Sequence, residues 1–159
     1  MRRLALLIVI IAFPLAFAAR AATASGTIYS FNLVGPNTAT NGTDTIRTTG
    51  SGSFNPDAAT VSASGSFTHM LSDGSVFARG TWVATGFNSF TGFGGPSNGL
   101  QGGVLMITVT LFPNGGAPHT GVSMTITCVI NSPGGHEEGT TVDGFDEPTG
   151  GTTLMHIVS

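Results

Sequence analysis

The sequence predicts an all-β domain, either an antiparallel barrel of about eight strands or a tightly curved sandwich, built from meander hairpins. Segments of alternating apolar and polar residues recur from residue 27 to the end of the chain, and clusters of Gly, Pro, Asn and Asp separate them. After the first 24 residues no window of helical length shows the apolar period of about 3.6 residues that a helix requires. The predicted strands lie near residues 27–34, 44–54, 59–72, 75–87, 103–112, 119–130, 138–146 and 152–158.

Residues 1–24 have the features of a cleavable secretory signal peptide. Arg2 and Arg3 are followed by an apolar run over residues 4–17 and then by small residues. This run is shorter than the roughly 20 residues of a membrane-spanning helix. We therefore expect residues 25–159 to form a single all-β domain that is secreted or lies in the cell envelope or periplasm, with no membrane span after cleavage.

The charge of the exported chain excludes nucleic acid as a partner. The sequence has no lysine, and after cleavage only Arg47 and Arg79 remain against eight acidic residues. Polyanions bind to clustered Lys and Arg side chains, which release the counterions of the phosphates. Two separated arginines do not form such a cluster, so we expect neither nucleic acid nor an anionic membrane surface to be bound.

The clearest hairpin is centred on Asp73-Gly74, a pair that favours a type I′ turn. With these two residues as the loop, one register choice places apolar residues on one face and Ser or Thr on the other. The predicted facing pairs are Leu71 with Val76, His69 with Ala78, Phe67 with Gly80, and Gly65 with Trp82.

The preceding hairpin extends this core face by one strand. If residues 55–58 are the loop, Phe54 faces Ala59 and Gly52 faces Val61. Glycines beside Phe and Trp on this face are typical of a strongly curved sheet. These glycines are Gly50, Gly52, Gly65 and Gly80.

Two later strands alternate in the same way, and a glycine-rich connection precedes them. The predicted inward residues are Leu105, Ile107, Val109 and Leu111 on one strand and Val122, Met124, Ile126 and Cys128 on the next. Cys128 is the only cysteine, so it is predicted to be a small buried residue rather than a disulfide partner. Phe90 and Phe93 lie in the predicted connection over residues 88–102, where they contact either a ligand or the surface of the sheet.

His69 is the only candidate for a catalytic group. The predicted register points it to the core face near the turn end of its strand, where the mouth of a barrel would lie. A histidine at such a mouth can transfer protons or bind a ligand. The alternative is a rim histidine whose hydrogen bonds are satisfied by backbone or water.

The acidic residues offer weak candidates for a metal site. Asp143, Asp146 and Glu147 carry the oxygen ligands that calcium prefers, but their spacing departs from the calcium-loop pattern, which favours a solvated acidic turn. No hydrolase, phosphate-loop or zinc-protease motif is present, and no cofactor is expected. Asn41-Gly42-Thr43 matches the glycosylation sequon.

Three functions fit these features. The first is a non-enzymatic secreted binding protein for a small, largely apolar ligand, because a barrel of about eight strands is wide enough for one such molecule. The predicted lining residues are Phe67, His69, Trp82, Met124, Phe90 and Phe93. The second is a surface or matrix protein that acts through its Ser- and Thr-rich exterior and its strand edges. The third is an isomerase or cyclase in which His69 transfers protons within the barrel cavity.

Overall fold

A computed structural model describes residues 26–159, so the predicted signal peptide lies outside the described residues. The described residues form nine strands and no helix, which confirms the all-β class. The strands are β1 (Tyr29–Thr40), β2 (Thr45–Asn55), β3 (Thr60–Met70), β4 (Val76–Gly94), β5 (Gly102–Pro113), β6 (His119–Cys128), β7 (Gly139–Val142), β8 (Glu147–Gly150) and β9 (Thr153–Ile157). Among residues 26–159 no helix has the length and apolar composition required to cross a membrane.

The sheet is an antiparallel meander that nearly closes into a barrel. From β1 to β7 each strand pairs with its neighbours in sequence. Strands β8 and β9 then return to the free side of β1 and pair with it. Strand β7 also packs against β1 and β8, so the two edges of the sheet lie side by side. The predicted fold class, a barrel-like sheet built from meander hairpins, is therefore confirmed.

The β2–β3 hairpin has the predicted faces but a different register. Phe54 pairs with Val61 rather than with Ala59, because the loop spans residues 56–59 instead of 55–58. Ala59 has a left-handed φ of 50°, and the Asn55 side chain accepts a hydrogen bond from the Ala58 N–H at 3.0 Å. Side chains alternate with a period of two, so this two-residue shift leaves every side chain on its predicted face.

The β3–β4 hairpin confirms the predicted pairs of His69 with Ala78, Phe67 with Gly80, and Gly65 with Trp82. The type I′ turn is wrong, because only Gly74 has a positive φ, of 82°, whereas a type I′ turn needs two such residues. The Asp73 carboxylate instead accepts a hydrogen bond from the Ser75 N–H at 2.8 Å, and its hydrogen bonds with Ser75 lower the pKa of Asp73.

The Leu71 N–H donates to the Ser75 carbonyl at 2.9 Å, so three residues, 72–74, form the tip of this hairpin instead of two, and the register shifts beyond His69. Val76 pairs with Met70 instead of Leu71, and its side chain is exposed instead of lying on the core face.

The segment 88–94 belongs to a strand, which corrects the prediction of a connection over residues 88–102. Strand β4 remains paired with β5 as far as Gly94. Three register shifts along this pairing accommodate the extra residues of β4. The remaining connection covers residues 95–101 only. Strand β1 is also longer than predicted, since an irregularity between Leu33 and Asn37 carries it past Gly35 and Pro36 to Thr40.

The interior of the barrel is a single packed core around Trp82. Its indole is fully buried, and its Nε1–H donates a hydrogen bond to the Thr49 carbonyl at 3.0 Å. A Cβ at Gly65 would overlap that same carbonyl and lie 2.6 Å from Nε1, so the glycine makes room for the indole. The buried residues include the predicted core positions Ile46, Phe54, Phe67, Leu105, Ile107, Val109, Met124, Ile126 and Cys128.

A buried amide, Asn37, and a half-buried carboxylate, Glu138, hold the closing edge of the barrel, where β7 and β9 meet the rest of the sheet. The fully buried Asn37 amide donates to the Thr152 carbonyl at 3.3 Å and accepts from the Thr153 hydroxyl at 3.4 Å. The Glu138 carboxylate accepts the backbone N–H groups of Val129 and Thr153, one on each oxygen. These bonds tie the segment before β7 and the start of β9 to the rest of the barrel.

Candidate functional site

A partly open cavity of about 220 Å³ lies at the end of the barrel where the β3–β4 loop is found; we call it the mouth cavity. Each of the strands β2 to β7 contributes to its wall, together with the turn that follows β7. Its apolar lining residues are Ile46, Phe67, Phe77, Ala78, Leu111, Pro113, Val142 and Phe145, and its polar ones are His69, His119 and Asp143. The other described depressions are more open and are lined in large part by Ser and Thr side chains.

His69 is paired with a carboxylate at the mouth cavity. Its Nε2 lies 3.2 Å from Oδ2 of Asp44, and about one fifth of each side chain is exposed (21%). The turn before β2 fixes Asp44, because the Asn41 side chain accepts the N–H groups of Thr43 and Asp44 at 2.9 and 2.7 Å. The Thr40 hydroxyl also donates to the Asp44 carbonyl at 2.7 Å. Asp44 therefore holds the imidazole in one orientation.

Two aromatic rings contact the imidazole of His69. The rings of Phe77 and Phe145 lie 4.9 and 5.0 Å from it, with interplanar angles of 60° and 79°. Phe145 reaches this position from a tight turn in which its N–H donates to the Val142 carbonyl at 2.7 Å and Gly144 adopts a φ of 81°. Edge-to-face contacts of this kind are favourable and add to the orientation that Asp44 imposes.

The predicted ligand-binding residues are divided between three places. Phe67 and His69 come together at the mouth cavity. Trp82 and Met124 are fully buried in the packed core and line none of the described cavities. Phe90 packs on Phe54 near the opposite end of the barrel, at a centroid distance of 4.8 Å.

Phe93, the last of these residues, contacts His136 at 4.7 Å rather than the mouth cavity. Because β4 runs to Gly94, neither Phe90 nor Phe93 belongs to a loop that covers a ligand.

The candidate metal ligands do not form a cluster. Within residues 26–159 no three or more His, Cys, Asp or Glu side chains converge on one point. Asp143 accepts the Ser123 N–H at 2.8 Å, and Asp146 and Glu147 are exposed. Glu138 follows two further residues with metal-ligand side chains, His136 and Glu137, but its carboxylate accepts hydrogen bonds from two backbone N–H groups.

Asp44, Phe77 and Phe145 contact His69, and the sequence interpretation predicted none of them as a site residue. Asp44 directly precedes β2 and lies two residues from Ile46, which pairs with His69, so the alternation of side chains carried a signal for it. Phe145 had no such signal, because its approach to His69 depends on closure of the barrel. Comparison with protein-family models, with curated proteins and with solved structures finds no match to this chain.

Proposed function

We propose that this protein is a non-enzymatic binding protein that holds a small, largely apolar ligand in the mouth cavity. The observation that carries the proposal is the cavity itself: eight of its eleven lining residues are apolar, and one of its three polar residues, His69, is held in place by Asp44. Apolar pockets with a few oriented polar groups are the usual form of small-molecule sites.

The size of the mouth cavity limits the ligand. Drug-sized ligands occupy cavities of about 300 to 1,000 Å³, whereas an engineered apolar cavity of about 150 Å³ binds benzene. At about 220 Å³ the mouth cavity suits a compound with one ring or a short branched chain, and it is too small for a fatty acid. The predicted export of the chain would place such a site where small molecules from outside the cell are encountered.

Titration with toluene, followed by calorimetry, tests the proposal. Ala78 lines the mouth cavity, so Ala78→Leu fills part of its volume, whereas Val83→Leu enlarges an exposed side chain on the same strand. We expect the unchanged protein and Val83→Leu to bind toluene alike and Ala78→Leu to bind it at least about tenfold more weakly. Absence of toluene binding to the unchanged protein, or equal binding by Ala78→Leu, would contradict the proposal.

The pair of His69 and Asp44 supports a second candidate, an isomerase. A histidine oriented by a carboxylate is a common arrangement for proton transfer. Cyclohex-3-enone is a single-ring probe for this activity: a base removes a proton from C2, the double bond moves into conjugation, and a proton is returned to C4. Enone absorbance measures the reaction, and we expect His69→Ala to abolish it with Trp82 fluorescence unchanged. Equal rates with and without the protein would remove this candidate.

A further inference from the structure

The second ring nitrogen of His69 is available to a ligand. Only Nε2 of this imidazole makes a hydrogen bond within residues 26–159, and its partner is Asp44. Nδ1 has no hydrogen-bond partner among these residues. Since no side-chain nitrogen or oxygen in this part of the chain is both buried and without a partner, Nδ1 is accessible to solvent. His69 lines the mouth cavity and its Nε2 is used by Asp44, so Nδ1 is the ring nitrogen left for a bound molecule.

The carboxylate of Asp44 determines which hydrogen bond Nδ1 can make. An ionised carboxylate only accepts hydrogen bonds, so the proton of the neutral imidazole lies on Nε2. Nδ1 then carries a lone pair and accepts a hydrogen bond. A ligand that fills the mouth cavity and carries an O–H group can donate to it, while a ligand whose oxygen only accepts cannot.

The other polar groups of the mouth cavity offer weaker alternatives. One carboxylate oxygen of Asp143 is already used by the Ser123 N–H, and His119 and Asp143 are both exposed. Two aromatic side chains, Phe77 and Phe145, contact the ring of His69 and form part of the cavity wall. Flat rings pack favourably against such walls.

We infer that the mouth cavity is specific for single-ring compounds that bear a hydroxyl donor, with simple phenols as the best-fitting class. This inference rests on the proposed function and adds the chemistry that selects the ligand. In the complex, the phenol O–H donates to Nδ1 of His69, Nε2–H donates to Asp44, and the ring contacts the apolar walls.

Three probes of similar shape separate this inference from the proposed function. They are p-cresol, which donates through its hydroxyl; 4-methylanisole, whose ether oxygen only accepts; and toluene, which has no oxygen. We expect p-cresol to bind the mature protein, residues 25–159, about tenfold more tightly than 4-methylanisole. This is the ratio of affinities that one hydrogen bond of ordinary strength gives. His69→Phe keeps a ring at this position and is expected to bind p-cresol and 4-methylanisole equally.

Each outcome decides between the two claims. Equal affinity of the unchanged protein for all three probes would overturn the hydroxyl preference and leave the proposed function standing. Failure of all three to bind would overturn both. If His69→Phe does not fold, as judged by Trp82 fluorescence, the ratio of p-cresol to 4-methylanisole affinity in the unchanged protein decides by itself. A p-cresol preference that persists in folded His69→Phe would also overturn the inference.

Discussion

Trp82 shows how single residues shape the core of this barrel. Its indole crosses the space that a side chain at position 65 would fill, and its N–H satisfies the Thr49 carbonyl. A buried polar group without a partner is costly, so the glycine and the indole nitrogen act together. Trp82 is also the only tryptophan in the chain, which makes its fluorescence a probe of core packing.

Gly65→Ala is expected to lower the free energy of unfolding by about 3 kcal/mol, because the added methyl group overlaps the Thr49 carbonyl. Gly86→Ala is the matched control on the next strand, where a Cβ would meet Thr108 at an ordinary 3.6 Å, and its effect should stay within about 0.5 kcal/mol. Guanidinium unfolding followed by Trp82 fluorescence measures both. Equal stability of the two variants would refute this view of the core.

Cys128 is a buried thiol, and burial raises its pKa above the ordinary value. The thiolate is the reactive form, so a raised pKa keeps the group protonated and inert as the pH rises through the range in which a free thiol ionises. We expect no reaction with Ellman's reagent in the native protein at about pH 8 and one equivalent of reaction after unfolding. Rapid reaction of the native protein would show that Cys128 is accessible.

At the scale of the strands, side-chain alternation predicted more than turn chemistry did. The inward positions of β3, β5 and β6 follow from apolar alternation alone, and an error of two residues in the β2–β3 register moved none of them. The end of β4 was predicted wrongly, because glycine-rich sequence is compatible with both a loop and a bulged strand. Only pairing with β5 decides between these two, and that pairing is a long-range interaction.

The segment that joins β6 to β7 is held by one carboxylate, Glu138. Each of its oxygens accepts a different backbone N–H, so Glu138→Gln would place an amide N–H₂ group against one of these donors. We expect this variant to lose about 2 kcal/mol of stability and amide protection at Thr153. Glu137→Gln changes an exposed neighbour and should leave both unchanged. If hydrogen exchange at Thr153 is the same in the two variants, Glu138 does not hold the closing edge.

Closure of the whole molecule creates the mouth cavity. Strand alternation predicted that His69 points to the core face at the turn end of β3, and the structure places it in the wall of the cavity. The turn that carries Phe145 reaches His69 only because β7 folds back beside β1 and β8. No periodic pattern in the sequence encodes this contact between residues far apart in the chain, which is why the role of Phe145 was not predicted.

The same closure separates the two ends of the barrel. The mouth cavity lies at the β3–β4 loop, while an open groove that includes Ile28 and Val61 lies at the opposite end. A ligand bound in the mouth cavity would therefore contact a set of methyl groups that does not overlap with the methyl groups of the groove.

Intermolecular NOEs between toluene and the methyl-labelled protein test the central claim most directly. We expect NOEs from the toluene ring to the methyl groups of Ile46, Leu111 and Val142, all of which line the mouth cavity. NOEs to Ile28 and Val61 instead, or none at a saturating toluene concentration, would contradict the account of this barrel as a small-ligand binding protein.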